Sequence, residues 1–251
     1  TKEFPSLDSV LLPSYDITYA SKGEHQKRKL FLQSPRLVKA IQAEHKLLKT
    51  LIETHTIKGV ISDNRLGLYT NKVPTVFITH QLNVLSGNTT KLTTYIHQRF
   101  IKKFNACWVP DFENSPNLSG LLGHPKKISF PIDYIGPISR FQKEDLNQKY
   151  DALVLLSGPE PQRSLLEEIL LEKLKKYNGS ILFVRGVIEE EKETIKKGNF
   201  TIVNYMEAEA LEKAINSSKL VISRSGYTTI MDLAVLGKKA FFIPTPGQPE
   251  Q

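Results

Sequence analysis

Short β-branched runs return eight times along this chain, at Gly59 to Ser62, Thr75 to Thr79, Ala106 to Val109, Ala152 to Leu156, Ser180 to Val184, Phe200 to Asn204, Leu220 to Ser223 and Ala240 to Ile243. The segments between them carry helical spacing. Leu37, Val38, Ile41, His45, Leu48, Leu51 and Ile52 fall on one stripe, as do Leu165, Leu166, Ile169, Leu170 and Leu174. Strands that alternate with helices imply α/β layers and parallel sheets.

With 251 residues the chain exceeds one ordinary domain. Between Gly136 and Tyr150 the apolar periodicity lapses, and a new strand begins at Ala152, which places a boundary between two domains, 1–137 and 138–251. The second domain should be an open doubly wound sheet, so ligand-binding residues are expected just beyond the carboxyl ends of its strands. The chain begins with Thr and ends at Gln251 directly after a Pro-Gly-Gln-Pro-Glu loop, so truncation at both ends is expected.

Charge is unevenly spread. The first 150 residues hold 21 Lys+Arg against 12 Asp+Glu, a balance of +9, and the remainder 13 against 14, or −1. A basic first half favours an anionic partner such as a membrane surface or phosphorylated acceptor. Nucleic acid is not expected, because the lysine pairs, among them Lys102-Lys103 and Lys238-Lys239, lack interleaved aromatic platforms and read as solvated surface. Glu189 to Glu191 reads as a solvated helix start. A single cysteine, Cys107 in an apolar run, excludes a disulfide framework and reads as a core thiol. No run of eighteen apolar residues is present.

Two turns carry candidate chemistry. After the strand ending at Leu156, Ser157-Gly158-Pro159-Glu160-Pro161-Gln162-Arg163 opens a helix, where unpaired amides and the helix dipole can hold a phosphate. A strand-to-helix turn needs a glycine for geometry in any case. The second turn, Arg224-Ser225-Gly226-Tyr227-Thr228-Thr229, brings glycine, hydroxyls and a guanidinium to one helix start. Here Gly226 would let the backbone approach a diphosphate, Ser225, Thr228 and Thr229 would donate to it, and Arg224 would fork onto its oxygens. Asp232, four residues after Thr228, is placed to accept the hydroxyls of a ribose.

The run Ser-Arg-Ser-Gly-Tyr-Thr-Thr-Ile-Met-Asp, Gly237 and the closing Phe-Phe-Ile-Pro-Thr-Pro-Gly-Gln-Pro-Glu-Gln resemble the donor half of family 28 glycosyltransferases. Thr79-His80-Gln81-Leu82-Asn83 resembles that family more loosely. The resemblance is nearest to uncharacterised bacterial proteins. It implies two Rossmann-like doubly wound domains, the glycosyltransferase-B fold. It also implies inverting sugar transfer from a nucleoside diphosphate, uridine-based donor. The lack of any Asp-x-Asp pair points to metal-independent transfer, and no further cofactor is expected. Ser157, Gly158, Arg163, Arg224, Ser225, Gly226, Tyr227, Thr228, Thr229, Asp232, Gln248 and Gln251 would form the donor site, with Gln251 on the sugar. The acceptor would be anionic or lipid-linked, and the protein cytoplasmic, with peripheral contact at the inner face of the membrane.

In the first half, Ser62-Asp63-Asn64-Arg65 and His80-Gln81-Leu82-Asn83 each follow a strand. Asp63 or His80 could serve as general base on an acceptor hydroxyl, with Asn64, Arg65, Gln81 and Asn83 holding the acceptor. For His80 a role in fixing its loop is the alternative, and for Asp63 a helix cap or a pairing with Arg65. A nucleotide-sugar 2-epimerase and a catalytically silent nucleotide-sugar-binding protein are the alternatives.

Overall fold

The computed structural model describes residues 5–15, 26–188 and 194–246. The chain divides into two compact units, Thr1–Pro110 with Gly120–Tyr134, and Asp111–Ser119 with Ile135–Gln251. The lapse in periodicity from Gly136 thus begins close to the second crossing. The boundary read from the sequence did not include the excursion of residues 111–119 into the second unit.

In the first unit the helix α1 (Gln26–Thr54) precedes β1 (Val60–Asp63), β2 (Thr75–Ile78), α2 (Thr90–Ile101), β3 (Ala106–Val109) and the two-residue β4 (Asp133–Tyr134). The four strands are parallel and lie in the order β1-β2-β3-β4. Phe77, Leu82, Ile101, Phe104, Cys107 and Val109 form a buried cluster. Cys107 is therefore a core thiol, and burial pushes its pKa up to about 12. On α1 the stripe buries Ile41 and Leu48, whereas Val38 is exposed.

The second unit contains β5 (Tyr150–Leu155), α3 (Gln162–Leu174), β6 (Ile181–Val184), β7 (Thr194–Lys197), β8 (Phe200–Val203), α4 (Ala208–Asn216), β9 (Ser218–Arg224), α5 (Tyr227–Val235) and β10 (Ala240–Ile243). The sheet order is β10-β9-β5-β6-β8-β7, parallel except for β7. Side chains alternate between its faces. Leu153, Leu182, Val184 and Val221 pack with Ala214, Ile215, Leu233 and Leu236 of the α4 and α5 segments, while Ala152, Val154, Ile181 and Phe183 pack with Leu166 and Leu170 of α3. Helices cover both faces, and strand order reverses between β5 and β9, so this sheet is doubly wound.

All eight β-branched runs are strands. The two further ones, β4 and β7, escaped because β4 spans only two residues and Thr-Ile-Lys-Lys of β7 is exposed throughout, paired only at the sheet edge. Glu189 to Glu191 lie outside the described residues. Among the described residues no helix is long and apolar enough to cross a membrane. The lysine pairs are mostly exposed, with one correction. Lys238 Nζ donates to the carbonyls of Asn216 and Ser218 at 2.6 and 3.1 Å, and burial lowers its pKa, so it serves the packing at the start of β9.

Candidate nucleotide site

The turns after β5 and β9 sit side by side at the carboxyl edge of the second sheet, because these strands are neighbours with Leu155 paired to Ser223. That edge is the topological switch point, where loops from adjacent strands diverge to opposite faces and leave a crevice. Ser157-Gly158 and Ser225-Gly226 are brought together there, although 67 positions separate them in sequence (225 − 158).

The two glycines differ in kind. Gly158 has φ of +104°, a conformation that side chains rarely adopt, so the backbone itself requires glycine there. Gly226 has φ −66° and ψ 134°, ordinary extended backbone, and a Cβ built on it would meet nothing within 4 Å. The fold therefore does not need glycine at 226, and the space before it is open.

The helix starts differ as well. At α3 the Glu160 carboxylate accepts from the Ser164 amide at 3.2 Å and pairs with Arg163 at 2.6 Å, so an anionic group already occupies that end, and these hydrogen bonds hold its pKa below the usual carboxylate range. At α5 the N-cap is Gly226, which has no side chain to satisfy the first amides. The positive end of α5 is thus the better seat for a phosphate. Thr228 is exposed and Ser225, Tyr227 and Thr229 are half-buried around it.

Arg224 departs from the expected fork. It is 5% exposed, and its terminal nitrogens donate to the Pro244 carbonyl at 2.9 Å and the Gln162 carbonyl at 2.8 Å. These bonds tie the end of β9 to the ends of β10 and the start of α3. Arg224 shapes the crevice, and burial lowers its pKa. Arg163 is likewise engaged. Its guanidinium meets Glu160, Glu167, the Ser164 hydroxyl and the Arg185 carbonyl, while Arg185 pairs with Glu167 at 2.6 Å and donates to Asn204 at 3.0 Å. This buried network joins α3 to the loops after β6 and β8.

Asp232 lies one turn into α5, half-buried. The Ser139 hydroxyl donates to its Oδ1 at 2.6 Å and fixes the carboxylate's orientation. Burial raises its pKa, against the opposing pull of Ser139 and Arg140.

Sequence reasoning missed the support beneath α5. Asp111, fully buried, accepts from the Phe112, Leu118 and Ser119 amides at 2.7, 2.8 and 2.8 Å and from the Ser119 hydroxyl. The phenol of Tyr227, first residue of α5, hydrogen-bonds with Asp111 and Ser119; burial first, then the Asp111 charge, raises its pKa. Loop 111–119 thereby braces the helix start. A buried acid after a strand was the available signal, but its partner lies 116 positions later (227 − 111). Gln248 and Gln251 lie outside the described residues.

In the first unit, β1 and β2 are adjacent, with Asp63 paired to Ile78 and the Asn64 amide donating to the Ile78 carbonyl at 3.0 Å. Asp63, exposed, and His80, half-buried, thus follow neighbouring strand ends. Asn64 has φ of 54° and receives the Thr79 hydroxyl at 3.4 Å. Gln81 and Asn83 belong to a braced loop. The Gln81 amide donates to Thr79 at 3.0 Å, its carbonyl meets His97 Nε2 at 2.9 Å, and the Asn83 side chain donates to the Leu121 carbonyl. Burial lowers the pKa of His97, which the sequence did not single out, against the opposing hydrogen bond to the Gln81 carbonyl. Arg65 is no free acceptor ligand. It pairs with the fully buried Glu44, donates to the Pro13 carbonyl and lies 4.2 Å over the Tyr15 ring. Among the described residues, no group of three or more His, Cys, Asp or Glu could hold a metal ion.

Residues 153–251 match the glycosyltransferase family 28 C-terminal domain. The UDP-N-acetylglucosamine–N-acetylmuramyl-(pentapeptide) pyrophosphoryl-undecaprenol N-acetylglucosamine transferase of Exiguobacterium sibiricum is 25% identical over 175 residues, covering 67% of this chain and 47% of that protein. An uncharacterised glycosyltransferase of Methanopyrus kandleri, MK0977, is 24% identical over 268 residues, covering all of this chain and 74% of its own. The chain thus spans about half the length of the first relative. Among solved structures, the Streptomyces sp. SF2575 glycosyltransferase SsfS6, complexed with thymidine diphosphate, aligns with TM-score 0.53 and 12% identity over 92% of this chain and 63% of its own. Phytolacca americana UGT2, complexed with UDP-2-fluoro-glucose and pterostilbene, aligns with TM-score 0.53 and 13% identity over 95% and 67%. Residues 153–251 of the second unit are thus similar to the family 28 C-terminal domain, and the chain has the glycosyltransferase-B fold.

Proposed function

We propose that the chain serves sugar transfer from a uridine diphosphate sugar to an anionic or lipid-linked acceptor, with inversion at the anomeric carbon. The observation that carries this reading is the open space before Gly226 at the uncapped start of α5, with Asp232 one turn further on. The diphosphate would lie on the first amides of α5 among Ser225, Thr228 and Thr229, and the ribose hydroxyls on Asp232. As the sugar–phosphate bond breaks, those amides and the helix dipole would stabilise the charge developing on the leaving diphosphate. Asp63 or His80 would remove the proton from the acceptor hydroxyl. Relatives named for UDP-N-acetylglucosamine and a neighbour crystallised with a UDP sugar support the uridine assignment. The relatives named above are transferases, which does not favour the epimerase alternative.

The +9 balance of the first 150 residues supports an anionic acceptor or peripheral contact with the inner membrane face. The test is thermal denaturation of the full chain with uridine diphosphate. Saturation at a hundred times the dissociation constant should add about 2.7 kcal/mol. In Asp232→Ala the affinity should fall about ten- to a hundredfold through loss of a charge-assisted hydrogen bond. Unchanged binding by that folded variant would falsify the ribose assignment.

A further inference from the structure

A basic cavity lies in the first unit. It measures about 730 Å³ and is lined by Lys49, Lys72, Lys102, Lys103, His45 and Tyr69, among others. Lys72 precedes β2, and Lys102 and Lys103 precede β3, so the cavity opens at the amino ends of the strands, opposite Asp63 and His80. No carboxylate is among the lining residues.

The four lysines are exposed, and one of them, Lys103, is held against aromatic rings. Lys103 Nζ is 4.4 Å from the Tyr69 ring centre and 4.7 Å from that of Phe100, and donates to the Tyr69 hydroxyl at 3.2 Å. His45 stacks on Tyr69 at 4.3 Å, and its buried Nδ1 has no hydrogen-bond partner. Lys72 is paired with Glu53 at 2.9 Å on the rim. The hydrogen bond and charge of Lys72, and then the charge of Lys49, lower the Glu53 pKa, so the cavity gathers four ammonium groups around one neighbouring carboxylate, an excess of positive charge that favours an anion. A volume of this size suits a small molecule. Tyr69 already carries His45 and Lys103, which leaves it no open platform for a nucleic-acid base.

We propose that this cavity is a binding site for a phosphate group, with Lys49, Lys102 and Lys103 as its charged donors. It is independent of the nucleotide site in the second unit. The phosphate can belong to a soluble phosphorylated molecule or to a lipid headgroup, and two measurements on the full chain separate these sources. One is calorimetric titration with inorganic phosphate and pyrophosphate. The other is co-sedimentation with vesicles of phosphatidylcholine containing or lacking phosphatidic acid. Binding to the soluble anions assigns a soluble ligand, and binding only to phosphatidic acid vesicles assigns a headgroup.

In either arm Lys49→Gln should weaken binding about tenfold, and Lys49→Gln with Lys103→Gln further still, as expected for charge-assisted contacts. Lys175→Gln with Lys176→Gln, on the second unit, should have no effect. Lys49→Gln alone leaves the Tyr69 packing of Lys103 intact, so a folding defect in the double variant would not mask the result. No binding in either arm, or binding that Lys49→Gln leaves unchanged, would overturn the assignment. Neither outcome depends on whether uridine diphosphate binds.

Discussion

Replacing Gly226 with alanine separates a glycine kept for the fold from one kept for a ligand. Its φ of −66° and ψ of 134° are accessible to alanine, and the added Cβ meets no atom within 4 Å. Reduced freedom in the unfolded chain should contribute about 0.4–1 kcal/mol in favour of the variant. Alanine is a poorer N-cap than glycine by a similar amount, which offsets the gain. The net change should stay within about 0.5 kcal/mol, which at about 2–4 °C per kcal/mol moves the melting temperature by no more than about 2 °C. A methyl group in the approach to the first amides of α5 should nonetheless cost at least about 1.4 kcal/mol of diphosphate binding, or tenfold. Melting of the full chain and calorimetric titration with uridine diphosphate read the two quantities separately. A folded variant with wild-type affinity would refute the reasoning that the space is kept for a phosphate. A collapse in melting temperature would show instead that the fold itself needs the glycine.

Arg224→Met should behave in the opposite way, losing about 2–3 kcal/mol of stability as two carbonyls forfeit their charged donor; an unmoved melting temperature with binding abolished would restore Arg224 as a phosphate ligand. Asp111→Ala leaves three amides, that of Ser119 buried, without their acceptor and should cost about 2–3 kcal/mol, which denaturant titration would register, and an unperturbed midpoint would remove the brace from α5. Because burial raises the Asp232 pKa, its ionised form costs stability that is regained as pH falls through the raised value. Asp232→Asn should flatten that part of the stability–pH curve, and an unaltered curve would contradict the burial. Transfer activity should survive a chelator, since the start of α5 is assigned the charge of the leaving group; loss on chelation with recovery on magnesium or manganese would show that a metal does that work.

The layered fold was legible because burial on both faces of a parallel sheet demands continuous β-branched runs, and eight such runs stand in the sequence. The same holds for the turns at Gly158 and Gly226, since a doubly wound sheet puts strand-to-helix turns at one edge. Local spacing also placed Asp232 one turn into α5 and made Cys107 a core residue. The fates of the arginines were not local. Arg224 and Arg163 read as donor ligands in the sequence and Arg65 as an acceptor ligand or a partner of Asp63, yet each is held by groups that only the packed fold brings near. Arg224 meets carbonyls 20 and 62 positions away. Arg65 meets Glu44 and Tyr15, and Arg163 meets the carbonyl of Arg185. A long side chain reaches whichever buried acceptor most needs a donor, and that acceptor is identified only once strands from distant segments lie side by side. The same physics recruits residues 111–119 to the second unit, because a buried carboxylate must collect donors wherever the fold supplies them. Backbone pattern follows from local sequence; the partners of buried charge follow from tertiary proximity.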